Sequence, residues 1–119
     1  MDNPSVEYCT NSGVKCLRFT FVNRLETTNA VVAIKKWQDF FAKHPNEKMT
    51  LIWNCLKMTG YDSNARSEWQ NALKELKSQI GSIWLVTDSN FIKMGASVMS
   101  IFASYQISVV KNESEIKFS

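Results

Sequence analysis

Proline and glycine are scarce, 2 and 4 in a chain of 119 residues. So few chain breakers exclude collagen-like repeats, internal linkers and a turn-rich all-β sandwich. The three cysteines, Cys9, Cys16 and Cys55, are odd in number, unevenly spaced and form no C-x-x-C pair. That excludes a disulfide framework and leaves no zinc or dithiol motif. His44 is the one histidine. A ligand or general base needs a partner, and the chain has neither a second histidine nor a G-x-S-x-G elbow. Phosphate-cradling glycine loops are missing too. The charge balance, 14 Lys and Arg against 11 Asp and Glu, leaves only +3, and eleven of the basic residues are scattered lysines. This suits a solvated surface better than a nucleic-acid footprint. No apolar run approaches the roughly 20 residues that span a bilayer. Met1-Asp2-Asn3-Pro4 lacks the basic and apolar regions of a secretory signal, and Lys117-Phe118-Ser119 carries no lipidation pattern. The expectation is a soluble, reduced, cytoplasmic chain folding as one domain over 1–119, without metal or cofactor and without membrane insertion.

Apolar residues are plentiful, at 45%, and their spacing reads as alternating strands and helices. Val6, Tyr8 and Thr10 alternate with Glu7 and Cys9. Leu17, Phe19 and Phe21 alternate with Cys16, Arg18 and Thr20. A two-residue Ser12-Gly13 loop between them sets Val6 against Phe19, Glu7 against Arg18, Tyr8 against Leu17 and Cys9 against Cys16. One face of this hairpin is apolar. The other is polar, which predicts that it meets water or a partner rather than a second helix layer. The opposed cysteines read as two small half-buried thiols.

Ala30, Ala33, Ile34, Trp37, Phe40 and Phe41 recur at helical spacing, ending at His44-Pro45. Met49 to Cys55 reads as a strand, and Leu56 to Tyr61 as a loop. A second helix starts at Asp62-Ser63 with the stripe Ala65, Trp69, Ala72, Leu73, Leu76 and Ile80, and Gly81 reads as its stop. Ile83 to Thr87 is an apolar strand, Phe91 to Ala103 a third helix capped from Asp88, Ser89 or Asn90, and Ile107 to Val110 a last strand. The order predicts an α/β fold: a single mixed sheet that opens with an antiparallel hairpin, continues αβαβαβ with parallel strands, and carries its helices mainly on one face. Trp37, Trp53, Trp69 and Trp84 fall on these stripes and strands, so packing rather than base stacking accounts for them.

Two places stand out. The first is Gly60-Tyr61-Asp62-Ser63-Asn64-Ala65-Arg66, at a strand's carboxyl end and a helix's start, where open α/β sheets place ligands and where a helix amino end welcomes an anion. Its structural reading is a turn at Gly60 and a cap at Asp62 or Ser63. The second is the third helix, whose apolar residues nearly encircle it. Part of Met94, Val98, Met99 or Ile101 is expected to stay exposed and adaptable. Neither place holds a catalytic pair, so the chain is expected not to be an enzyme.

The element order and the turn resemble the STAS superfamily, especially its SpoIIAA-like branch, over about residues 5–112. Leu51-Ile52-Trp53-Asn54 followed by Tyr61-Asp62-Ser63-Asn64-Ala65 is similar to the family's strand-to-helix passage into an Asp-Ser-Ser-Gly tract. Gly60, Ala65, Trp69 and the run Ile83 to Asp88 are similar as well. Asn64 and Ala65 stand where the tract has its second serine and its glycine. The resemblance implies a non-enzymatic signalling module that binds a protein, a kinase or an anti-sigma-like regulator, with Ser63 as candidate phosphoacceptor. Gly60, Tyr61, Asp62, Asn64, Arg66, Met94, Val98 and Met99 are then the partner-binding candidates, and a homodimer stays open. The alternative from another class is a small-molecule or lipid-binding domain with an apolar pocket under the third helix.

Overall fold

Alternation and the Ser12-Gly13 turn produce the expected hairpin. In a computed structural model, which describes residues 2–118, β1 (Ser5–Asn11) and β2 (Val14–Leu25) run antiparallel. Val6 lies opposite Phe19, Glu7 opposite Arg18, Tyr8 opposite Leu17 and Cys9 opposite Cys16. Ser12 and Gly13 take φ of 52° and 78°, the paired left-handed conformation whose twist matches that of the flanking strands.

The chain continues through α1 (Thr27–Ala42), β3 (Met49–Tyr61), α2 (Ser63–Leu76), β4 (Ile80–Val86), α3 (Asn90–Ala103) and β5 (Ser108–Val110). The strands lie in the order β1-β2-β3-β4-β5 and are parallel from β2 onward. All three helices contribute buried residues to one apolar cluster with one face of the sheet. At its centre Phe19, Trp37, Trp53 and Trp69 are buried. Phe19 meets Trp37 and Trp69 edge-on at 5.5 and 5.4 Å, and Trp53 meets Trp69 at 6.0 Å, geometry that suits the ring quadrupoles.

Three elements depart from expectation. The segment Leu56 to Tyr61 is not a loop but the far half of β3, paired with the end of β2: Val22 with Lys57, Asn23 with Met58, Arg24 with Gly60 and Leu25 with Tyr61. Register shifts between Thr20 and Val22 and between Asn23 and Arg24 break the two-residue period, so these strands carry no alternation to read. Gly81 is not a helix stop. α2 ends at Leu76, a short 3-10 turn follows at Lys77–Gln79, and Ile80 and Gly81 already belong to β4.

The polar face is also not left open. The carboxyl-terminal segment crosses it, and Ile116 packs with Cys16, Ile52 and Val86 while Phe118 lies at the margin. The Glu113 carboxylate accepts hydrogen bonds from Arg18 Nε at 3.1 Å and from Asn54 Nδ2 at 2.7 Å. Arg18 also reaches Glu7 at 3.1 Å. Among the described residues no α-helix packs on this face, but a strap from the same chain, with one short 3-10 turn at Glu113–Glu115, covers what water or a partner was expected to meet.

Candidate functional site: the α2 start, the outer side of α3 and the cavity between them

Extension of β2 and β3 carries residues 60–66 to the sheet's carboxyl rim. Gly60 is buried there against Arg24, not placed in a turn. Tyr61 is half-buried, and its ring stacks on Phe91 with centroids 5.1 Å apart. The Tyr61 hydroxyl end lies against the backbone of Gly95. A β carbon at position 95 would sit 2.9 Å from the ring Cζ and closer still to the oxygen, so only glycine seats this ring without a shift.

Asp62 does not cap α2 with its side chain, as the sequence reading expects. Its carboxylate turns back to α1, accepting from the Thr27 N–H at 3.2 Å and from Arg24 Nε at 2.9 Å. The unfilled N–H at the start of α1 thus finds its acceptor 35 residues downstream. Hydrogen bonding from Arg24, and then from Thr27, holds the Asp62 carboxyl below the usual carboxylate range. Ser63 and Asn64 are exposed, and Arg66 is half-buried with its Nε enclosed and without a hydrogen-bond partner among the described residues.

α3 starts from Ser89, whose Oγ accepts from the Ile92 N–H at 3.3 Å, and it stops where Ser104 turns left-handed at φ 53°. It buries Ile92, Gly95, Ala96 and Ala103. Its outer side leaves Phe91 55%, Met94 66%, Ile101 79% and Phe102 63% exposed. Val98 and Met99 are half-buried between the two sides. Positions 91, 94, 98, 101 and 102 share one face at helical spacing. The sequence reading places Met94, Val98, Met99 and Ile101 here. It misses Phe91 and Phe102, which the same 3.6-residue count from Met94 would have found.

Beneath α3 lies a cavity of about 50 Å³ with an almost wholly apolar wall, formed by Phe21, Trp53, Leu85, Ile92, Ala96 and Met99 among others. Cys55 belongs to the same wall, and burial pushes its thiol up to about 12, so it is neutral there. Among the described residues no group of three or more His, Cys, Asp and Glu side chains is placed to hold a metal ion. No helix among them is long and apolar enough to cross a membrane.

No protein-family model and no curated protein matches this chain. A solved structure is similar to it: an uncharacterized protein from the DUF3478 family with a SpoIIAA-like fold, from Shewanella loihica PV-4. The two superpose with a TM-score of 0.79 at 8% sequence identity, over 97% of this chain and 91% of the other. At that identity the likeness is one of backbone path and strand order, not of site residues. The five-stranded mixed sheet with its opening hairpin is a SpoIIAA-like fold.

Proposed function

We propose that this chain is a non-enzymatic regulatory module that docks a partner protein on α3 and the adjoining start of α2, with phosphorylation of Ser63 setting the affinity. The observation that carries the reading is the run of exposed Phe91, Met94, Ile101 and Phe102 on one helix face. A contiguous apolar face on a small domain marks an interaction surface far more often than isolated exposed side chains do. Methionine and phenylalanine there suit an adaptable, well-buried interface. α3 itself contains one lysine and no acidic residue, and Lys77 lies at its carboxyl end. The fitting partner therefore presents an apolar patch with an acidic rim. A kinase and an anti-sigma-like regulator are the partner classes that the SpoIIAA-like likeness suggests, and three free thiols suit a reducing cytoplasm.

Ser63 suits the switch because it is exposed at the first position of α2. A phosphate on it would meet unfilled helix N–H groups and stand three residues from Arg66. The repulsion expected from Asp62 is lessened because Arg24 already pairs with that carboxylate at 2.8 Å. The test places a photo-crosslinking residue in turn at 94, at 101 and at the equally apolar, half-exposed Val31 on α1. One protein captured from 94 and 101, absent from 31 and altered by Ser63→Asp, is the expected result. Capture of the same proteins from all three positions, or only of further copies of this chain, would overturn the reading.

A further inference from the structure

We propose that the outer edge of β1 is the interface of a homodimer. In it, β1 of one copy pairs antiparallel with β1 of a second copy about a dyad at Tyr8, joining the two sheets into one. This edge lies at the flank opposite β5, so the proposal does not rest on what docks on α3.

The first observation is a row of unclaimed backbone groups. In a hairpin closed by a two-residue turn, the pair flanking the turn exchanges both of its hydrogen bonds, and every second pair after it does the same. Asn11 and Val14 are that pair, followed by Cys9 with Cys16, Glu7 with Arg18 and Ser5 with Thr20. The N–H and C=O groups of Val6, Tyr8 and Thr10 therefore point away from β2. Among the described residues no other strand or turn takes them up.

The second observation is that this edge is unguarded. Natural proteins blunt single edges with a bulge, a lysine, a proline within the strand or extreme shortness. β1 has none of these. Its seven residues, Ser-Val-Glu-Tyr-Cys-Thr-Asn, pair with β2 in unbroken register. Its one charge, Glu7, is already answered by Arg18 at 3.1 Å. The other edge, β5, is protected by being three residues long.

The third observation selects a second copy as the occupant. Outward-pointing residues must face outward-pointing residues, and the helix-covered face must continue as one face. A dyad at Tyr8 meets both conditions. It sets Val6 opposite Thr10 of the second copy, Glu7 opposite Cys9, Ser5 opposite Asn11, and Tyr8 opposite its counterpart. The whole strand is used, with about six inter-chain hydrogen bonds. The Tyr8 side chains, 45% exposed in a single copy, meet across the axis. Neighbouring registers are worse. A dyad at Glu7 sets two carboxylates face to face, which is destabilising, and a dyad at Cys9 leaves Ser5 and Val6 unpaired.

Sedimentation equilibrium of the full-length chain between about 1 and 200 µM should show monomer passing to dimer. Thr10→Pro removes an outward N–H but no hydrogen bond of the hairpin. Tyr8→Lys sets two like charges across the dyad and leaves the backbone alone. Each variant, checked for a cooperative thermal transition, should weaken dimerisation at least tenfold. Glu7→Cys reads the register, because native Cys9 of the second copy then lies directly opposite in a non-hydrogen-bonded pair, with Cα atoms about 4.5 Å apart. Treatment with glutathione disulfide should give a covalent dimer, and adding Cys9→Ser should abolish it. A chain still monomeric at about 200 µM, dimerisation unchanged by a folded Thr10→Pro or a folded Tyr8→Lys, or a covalent dimer that survives Cys9→Ser would each overturn the proposal. None of these results bears on crosslinking from positions 94 and 101, so failure here and failure of the docking reading are separable.

Discussion

The two faces of the sheet are closed by different means. On one side three helices press Trp37, Trp53, Trp69 and Phe19 into a single aromatic cluster. On the other, a tail whose regular structure is one short 3-10 turn, Glu113–Glu115, lies over Cys16, Ile52 and Val86, anchored by Ile116 and clamped by Glu113. The first side cannot open without losing the helices that define the fold. The second can, in principle, lift while the sheet stays intact, because it has little of its own to unfold.

The largest effect should come from the helix side. Trp69→Ala removes a ring that touches Phe19, Phe21, Trp37 and Trp53, and chemical denaturation should show a loss of about 3–5 kcal/mol. A loss below about 1 kcal/mol would mean that the cluster is not what holds the helices down. On the strap side, Ile116→Ala should cost about 2 kcal/mol. Its distinctive mark is chemical. Cys16, buried beneath the strap, should react faster with a maleimide while tryptophan fluorescence stays native. If the thiol stays protected until global unfolding, the two sides open together and the contrast fails.

Gly95→Ala sharpens the picture at the junction of α3 and β3. In the native background the new methyl displaces the Tyr61 ring from its seat. In a Tyr61→Leu background the same change should stabilise by about 1 kcal/mol, the ordinary helix preference of alanine over glycine. A double-mutant cycle reads the difference, and additivity would show that the ring does not press on the helix. Next comes Asp62→Asn, whose effect depends on pH. The Asp62 carboxyl is lowered in the folded chain, so its contribution is present above the unfolded value of about 4 and fades as pH falls through the folded one. The stability gap between native chain and variant should therefore narrow from pH 5 to pH 3, and a constant gap would refute the pairing with Arg24 and Thr27. Ser63→Ala should be smallest, within about 0.5 kcal/mol, since the exposed hydroxyl holds up neither face.

What the sequence made legible follows the same division. Hairpin register was readable because turn and alternation agree over residues 6–19, and α2 because its stripe keeps period until Leu76. The strap was not, because Ile116 and Phe118 stand among polar residues and Glu113 finds Arg18 and Asn54 only after folding. The far half of β3 was hidden by two register shifts, since each flips which side chains face the core. At the candidate site, Met94, Val98, Met99 and Ile101 were visible as an over-apolar helix, and a pocket beneath that helix was among the alternatives. The target of Asp62 was not visible. Its cap lies on α1, and a local reading assigns a capping side chain to the nearest helix. Gly95 likewise carried no signal of its own, because its need for hydrogen in place of a methyl comes from Tyr61, a residue on another element.

The brevity of β5 has a further consequence. At one flank the sheet ends on Ser108–Val110, three residues, which offers too few free amides and carbonyls to template a neighbouring chain. The opposite flank, β1, is seven residues long. Unwanted strand-to-strand stacking between molecules should therefore begin at the hairpin flank, and a lysine or proline placed there would guard against fibril growth.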